Sequence, residues 1–360
     1  MTPPLLRALI AEDSPTTLEL LSQMLEADGG ISVVGRAKNG EEAVQFTKNL
    51  RPDVVIMDIH MPVLNGFDAT RQIMIESPTP IVIVSSTFDP GAVGISMQAL
   101  RLGALTVLAK PPGASAPSFG AACENFIATV RAMAQVKVVR RWPSQTPLPT
   151  RESARDGRAP AQIVAIAAST GGPSALSRVL SELPASLPAP VLIVQHMAPG
   201  FVSGLASWLD ASTALRVKVA EPDERLQNGV AYLAPDEHHL GLSDRRTLSI
   251  SNAPPCGGFR PSGTFLFESV AKVYGSAVAG VILTGMGDDG CLGLSELRRA
   301  GGRIIAQDEA SSIVFGMPAA AIAAGLVDVT LPLELIGSRL RSWVMPTLEA
   351  NLVLPEGVKG

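Results

Sequence analysis

Three short stretches of the chain carry side chains suited to acyl transfer. Ala168-Ser169-Thr170-Gly171-Gly172-Pro173 places a serine hydroxyl on a glycine turn, between an apolar run and a helix expected to begin near Pro173. A hydroxyl there lies close to backbone N–H groups and the positive end of a helix dipole, which favour an oxyanion. Serine alone is too weak a nucleophile at neutral pH and needs a base. His196 follows the run Val191-Leu192-Ile193-Val194-Gln195, and Asp288-Asp289 follow Val281-Ile282-Leu283-Thr284-Gly285-Met286-Gly287. Serine, histidine and a carboxylate, each from a different strand end, can meet as a triad. The order Ser, His, Asp is no objection, because triads are defined by geometry and role.

A second set of polar residues lies in the first third of the chain. Glu12-Asp13, Asp58, Ser85 and Lys110 each end or follow an apolar run. Carboxylates brought together repel unless a cation neutralises them, and an all-oxygen set suits a hard ion such as Mg2+. Lys110 can add an ammonium to the same rim.

The rival for the glycine turn is a dinucleotide site. The full G-x-G-x-x-G pattern is missing, and His196 stands where an acidic residue would be expected. His238-His239 suggests a metal, but neighbours on an extended segment point to opposite faces and no carboxylate or cysteine completes a set, which leaves surface or domain contact as the expectation. Cys256 and Cys291 are expected to be structural.

The elements that must position these groups alternate between strand and helix. Leu6 to Ala11, Ile31 to Arg36, Val54 to Met57, Ile81 to Val84 and Thr106 to Ala109 read as buried strands, with helices over Pro15 to Ala27, Gly40 to Asn49 and around Ala92 to Leu102. Ile163 to Ala168, Val191 to Gln195, Val230 to Ala234, Gly280 to Thr284 and Arg303 to Ala306 repeat the style. Two doubly wound α/β units with parallel sheets follow, and functional groups collect at the carboxyl ends of such strands. Between them residues 140–160 are polar and proline-rich, the pattern of a linker.

Composition sets the outer bounds. A chain of 360 residues suggests two domains, and 46% hydrophobic residues can form two cores. A net charge of -4 gives no electrostatic footprint for nucleic acid. Three scattered cysteines without CxxC spacing indicate neither a disulfide framework nor zinc. The opening Met1-Thr2-Pro3-Pro4 lacks a basic signal-peptide start, and no apolar stretch reaches membrane-spanning length, so the expectation is a cytoplasmic protein with no direct membrane insertion.

Residues 5–130 resemble the receiver domain of bacterial response regulators, a flavodoxin-like fold, through Glu12-Asp13, the segment Asp53 to Pro62, Ser85 and Lys110. The resemblance makes Asp58 the phosphorylation site, served by a histidine kinase with Mg2+ held by Glu12, Asp13, Asp58 and the His60 carbonyl. It makes Ser85 and Lys110 the phospho-switch residues. Val107 departs from the aromatic usual three positions before the lysine, which argues against an aromatic rotamer switch.

Residues 161–350 resemble the catalytic domain of CheB-type protein-glutamate methylesterases, an α/β hydrolase-type domain. The motifs are Ala168 to Pro173, Gln195 to Phe201, Tyr232 to Pro235 with His238 to Leu240, Leu283 to Gly290, and Ala306 to Ala310 with Phe315 to Pro318. The resemblance implies Ser169 as nucleophile, His196 as base, Asp289 as orienting acid, and the Met286 amide as oxyanion donor. It further implies hydrolysis of glutamyl methyl esters on the cytoplasmic domains of methylated chemoreceptors, with deamidation of glutamines and no cofactor for the esterase. Thr264 stands where the family often has an aspartate after Pro-Ser. Residues 131–160 are then the helix end and linker. The alternative is a phosphorylation-dependent binding module with a silent hydrolase fold.

Overall fold

The computed structural model describes residues 5–85, 104–113, 115–116, 119–136 and 158–345. The helix expected around Ala92 to Leu102 and nearly all of the linker at 140–160 lie outside the described residues.

The first sheet has five parallel strands, β1 (Leu6–Ala11), β2 (Ile31–Ala37), β3 (Val54–Asp58), β4 (Ile81–Ser85) and β5 (Thr106–Ala109), in the order β2-β1-β3-β4-β5. All residues of β3 and β4 are buried, as expected of strands covered on both faces. Helices Pro15–Ala27, Gly40–Leu50 and Gly66–Glu76 start on the side-chain caps Ser14, Asn39 and Asn65, each accepting from a first-turn amide. With Phe119–Ala134 they cover the sheet. The chain reverses direction across the sheet between β1 and β3, so Glu12 and Asp58 stand at a topological switch point.

The second sheet is parallel and seven-stranded, in the order β14-β13-β12-β6-β7-β9-β8. Its strands are β6 (Ile163–Ala168), β7 (Val191–Gln195), β8 (Arg216–Val219), β9 (Val230–Leu233), β12 (Val278–Ile282), β13 (Arg303–Gln307) and β14 (Val329–Leu331). A separate hairpin pairs β10 (His239–Leu242) with β11 (Leu248–Ser251). The central strand β6 lies between β7 and β12, so the carboxyl ends of these three form the switch point where Ser169, His196 and residues 283–290 emerge.

Three points differ from the sequence expectations. The strand expected at Gly280 to Thr284 runs two residues earlier, because Thr284 gives its amide to the Gln307 side chain and its hydroxyl to the Thr170 carbonyl. β8, β14 and the hairpin carry too little apolar sequence to stand out as strands. His239 is not a surface residue: it is fully buried, its ring stacked on Phe265 and its Nε2 bonded to the Pro254 carbonyl, while His238 bonds the Asp236 carbonyl.

Candidate active site

Sheet register brings the serine and histidine together. Ala168 pairs with Gln195, and the His196 amide donates to the Ala168 carbonyl at 2.9 Å. Ser169 and His196 therefore leave neighbouring strands side by side. Gln195 ties them further: its Nε2 donates to the carbonyls of both Ser169 and His196, each at 2.8 Å. A Cβ on Gly172 would collide with the Gln195 side chain, which explains the second glycine of the turn. Gly171 has a φ of 80°, a left-handed conformation that favours glycine. The helix Gly172–Ser181 then begins with proline in its first turn.

His196 Nε2 lies 2.9 Å from Asp289 Oδ2. Asp289 is buried and also accepts from the Ser262 hydroxyl at 2.7 Å, the Gly263 amide at 2.6 Å and the Thr264 amide at 3.2 Å. Burial alone would raise its pKa. Bonds from His196, Ser262 and Gly263, with the His196 charge, outweigh burial and hold it at about 2. An ionised carboxylate can only accept, so the imidazole proton sits on Nε2. Nδ1 is buried and has no hydrogen-bond partner among the described residues. Asp288, by contrast, is exposed.

Gly285, the residue before Met286, lies against the nucleophile. Gly285 passes so close to Ser169 that an added Cβ would lie 2.7 Å from the serine Cβ, and the Ser169 amide donates to the Thr284 carbonyl. The amide of Met286 has no hydrogen-bond partner among the described residues.

Sequence reasoning missed the buttress around the histidine and acid. Phe259 stacks on His196 with ring centroids 4.4 Å apart and planes 7° apart. Ser262, Gly263 and Thr264 supply the donors to Asp289, and the Thr264 hydroxyl accepts from the Gly290 amide. The Thr264 departure therefore affects a residue that braces the acid. The spacing of Ser262-Gly263 before a helix was the available signal, since a helix N-terminus attracts a carboxylate. Cys256 and Cys291 are partly buried, and burial with nearby carboxylates pushes the Cys291 thiol up to about 11, which fits structural roles.

At the rim of the first sheet, Glu12 and Asp58 are buried and Asp13 is exposed, with carboxylate oxygens of all three within 4.8 Å of one another. Lys110 Nζ lies 2.8 Å from Glu12 Oε2 and 3.1 Å from Asp58 Oδ2. Burial pushes both carboxyls up, against the lowering effect of Lys110, and their mutual proximity adds to the rise at Glu12. The lysine is desolvated too, but the two carboxylates raise its pKa overall. Three carboxylates against one ammonium leave an excess of negative charge, and the donor set is all oxygen, so the cluster fits a hard divalent cation. Ser85 is fully buried, its hydroxyl without a hydrogen-bond partner among the described residues, and its carbonyl accepts from the Lys110 amide. Val107 is buried in β5, and His60 follows Asp58 by two residues with an exposed side chain.

The loop beside Ser169 also packs against the first unit. Ile313 and Val314 pack against the apolar core of the first unit, which includes Val84, Leu105 and Phe126 with Leu108 and Phe119 at its margin. Both residues belong to the loop that hydrogen-bonds Thr284 and Gly285 beside Ser169.

Comparison with known proteins covers both units. The family described as CheB methylesterase matches residues 164–340, and that described as response regulator receiver domain matches residues 8–116. A protein-glutamate methylesterase/protein-glutamine glutaminase of Myxococcus xanthus (strain DK1622) is 51% identical over 341 residues, 94% of this chain and 96% of that one. Like-named proteins of Anaeromyxobacter dehalogenans (strain 2CP-C) and Nitrosospira multiformis (strain ATCC 25196) are 49% and 44% identical, covering 94% and 97% of this chain and 99% of each relative. With this similarity running through both units, the chain belongs to the CheB family of receiver-linked protein-glutamate methylesterases.

Proposed function

We propose that the chain is a phosphorylation-activated serine hydrolase that demethylates glutamyl methyl esters on chemoreceptors, and deamidates glutamines, in chemotaxis adaptation. The observation that carries this reading is the His196 imidazole. Its Nε2 is held on Asp289 and its buried Nδ1 is left without a partner among the described residues, beside the strand that delivers Ser169.

The mechanism follows from these atoms. Ser169 Oγ attacks the ester carbonyl while its proton passes to His196 Nδ1, and Asp289 stabilises the imidazolium that forms. The Met286 amide donates to the developing oxyanion without reorganising. As the tetrahedral species collapses, the imidazolium protonates the leaving methoxide, giving methanol and a glutamyl ester on Ser169. Water, deprotonated by His196, then attacks the acyl carbonyl, and the imidazolium returns that proton to Ser169 Oγ as the bond to serine breaks and the glutamate carboxylate is released. With a glutamine substrate the group released is ammonia.

In the receiver unit Asp58 is the phosphoacceptor. Glu12, Asp13, Asp58 and the His60 carbonyl would hold Mg2+, which when bound offsets charge on the phosphoryl oxygens. Lys110 sits to neutralise the acyl phosphate, and the Ser85 hydroxyl, which has no partner among the described residues, is available to bond it. The phosphodonor is a chemotaxis histidine kinase, and the substrates are the cytoplasmic domains of methylated receptors. Residues 5–130 form the receiver, 131–160 the helix end and linker, and 161–350 the esterase. Among the described residues no helix is long and apolar enough to cross a membrane, and the cytoplasm is the proposed location. The test is methanol release from methylated receptor membranes with and without a small phosphodonor. No release in either case would refute the activity.

A further inference from the structure

The His196–Asp289 hydrogen bond fixes one atom of the imidazole but not its plane. A ring held by a single bond can still swing about that bond, carrying Nδ1 away from the nucleophile. The second restraint comes from Phe259, whose ring lies nearly parallel to the imidazole at van der Waals distance. Phenylalanine has no polar side-chain atom, so it restrains the plane without competing for Nδ1.

The segment bearing Phe259 is built to present it. Cys256 and Phe259 exchange amide-to-carbonyl bonds of 3.0 Å in both directions, around Gly257 and Gly258 with φ of 59° and 89°. Three residues beyond Phe259 the same segment delivers Ser262, Gly263 and Thr264 to Asp289. One short stretch therefore grips the acid by hydrogen bonds and the base by a flat apolar contact. Phe259 is only half-buried, whereas the His196 side chain is 10% exposed. The phenyl ring thus covers an imidazole near the surface.

We propose that Phe259 is a positioning residue for the ester hydrolysis proposed above: lying flat on His196, it fixes the ring plane that keeps Nδ1 available to Ser169 while Nε2 holds Asp289. The proposal rests on that reading of the site. It makes the planar shape of residue 259, not its bulk, the property that matters.

The experiment compares the full chain with Phe259→Ala, Phe259→Leu and Phe259→Tyr in methanol release from methylated receptor membranes. Phe259→Ala is expected to lower kcat by about 10- to 100-fold, because small misplacements of reacting groups cost that much, with KM changed by less than about threefold. Phe259→Leu, which fills space without a plane, should group with Ala, and Phe259→Tyr should stay within about threefold of wild type. In 15N–1H spectra the Nε2 proton held on Asp289 should give a downfield imidazole signal that broadens in the Ala variant. An unchanged kcat, a loss confined to KM, rescue by Leu as full as by Tyr, or an undisturbed imidazole signal in the Ala variant would each overturn the proposal. A wild-type chain that releases no methanol would instead overturn the activity, and the imidazole signal would still decide the role of Phe259.

Discussion

Ile313 lies directly on Gly171: a Cβ added to that glycine would stand 2.7 Å from the Ile313 Cβ. The residue that touches the nucleophile turn also packs, with Val314, against the receiver core. Val314 accepts from the Gly285 amide and donates to the Thr284 hydroxyl, while the Thr284 carbonyl holds the Ser169 amide. The receiver thus bears on the loop bonded to the nucleophile turn. A truncated chain beginning near Ala159 is expected to release methanol faster than the full-length chain without phosphodonor. Asp58→Asn should remain at the low rate, and Ser85→Ala should blunt activation because Val107 offers no aromatic switch. If the truncated chain is no faster, inhibition by the receiver is wrong and phosphorylation acts by positive recruitment.

Removing the reacting groups should separate the two aspartates. Ser169→Ala or His196→Ala is expected to reduce turnover by roughly 10^3- to 10^6-fold while Asp58 phosphorylation persists. Asp289→Asn should cost roughly 10^2- to 10^4-fold, since the acid orients the base rather than reacting. Asp288→Asn should stay within about threefold, being exposed. Steady-state methanol release decides; a larger loss at Asp288 than at Asp289 would reverse the assignment.

The acidic rim should register in stability as well as in phosphorylation. Burial raises the pKa of Glu12 and Asp58, so the folded chain holds their protons more tightly than the unfolded chain. Their ionisation therefore costs stability as pH rises through that range, and the cost persists at neutral pH. Asp58→Asn is expected to raise Tm at neutral pH without Mg2+, leaving Lys110 paired with Glu12. Mg2+ should raise Tm of the wild type more than that of the variant, and chelation should block labelling of Asp58 by a small phosphodonor. A lower Tm for Asp58→Asn, or phosphate located elsewhere by mass spectrometry, would contradict this.

Asp289 has the opposite sign. Its pKa is lowered from 3.8 to about 2, so its contribution is complete above the unfolded value and is lost as pH falls through that window. The shift corresponds to about 2 kcal/mol. Urea midpoints of wild type and Asp289→Asn should differ most near neutral pH and converge as pH drops below the unfolded value. A gap that does not change with pH would mean that the carboxylate is not held ionised by its four donors.

Much of this protein was legible in one dimension. β1, β5, β6 and β7 begin and end where the sequence places them, because each is a short, mainly apolar run of strand type closed by turn or polar residues; β6 is apolar and buried throughout. Residues that end such strands gather at one rim, so Asp58, Lys110, Ser169 and His196 could be picked from position and type alone. What the sequence could not supply was contact between segments far apart in the chain. Phe259 reads as an aromatic in a loop, and Ser262-Gly263-Thr264 as a helix start, until folding sets them against His196 and Asp289, 63 and 27 positions distant for Phe259 and Ser262. His239 looked like a surface histidine until the hairpin buried it on Phe265. Local pattern determines which residues reach a strand end, since backbone geometry is periodic. Which face of an imidazole is covered, and by what, is decided only when separate loops pack.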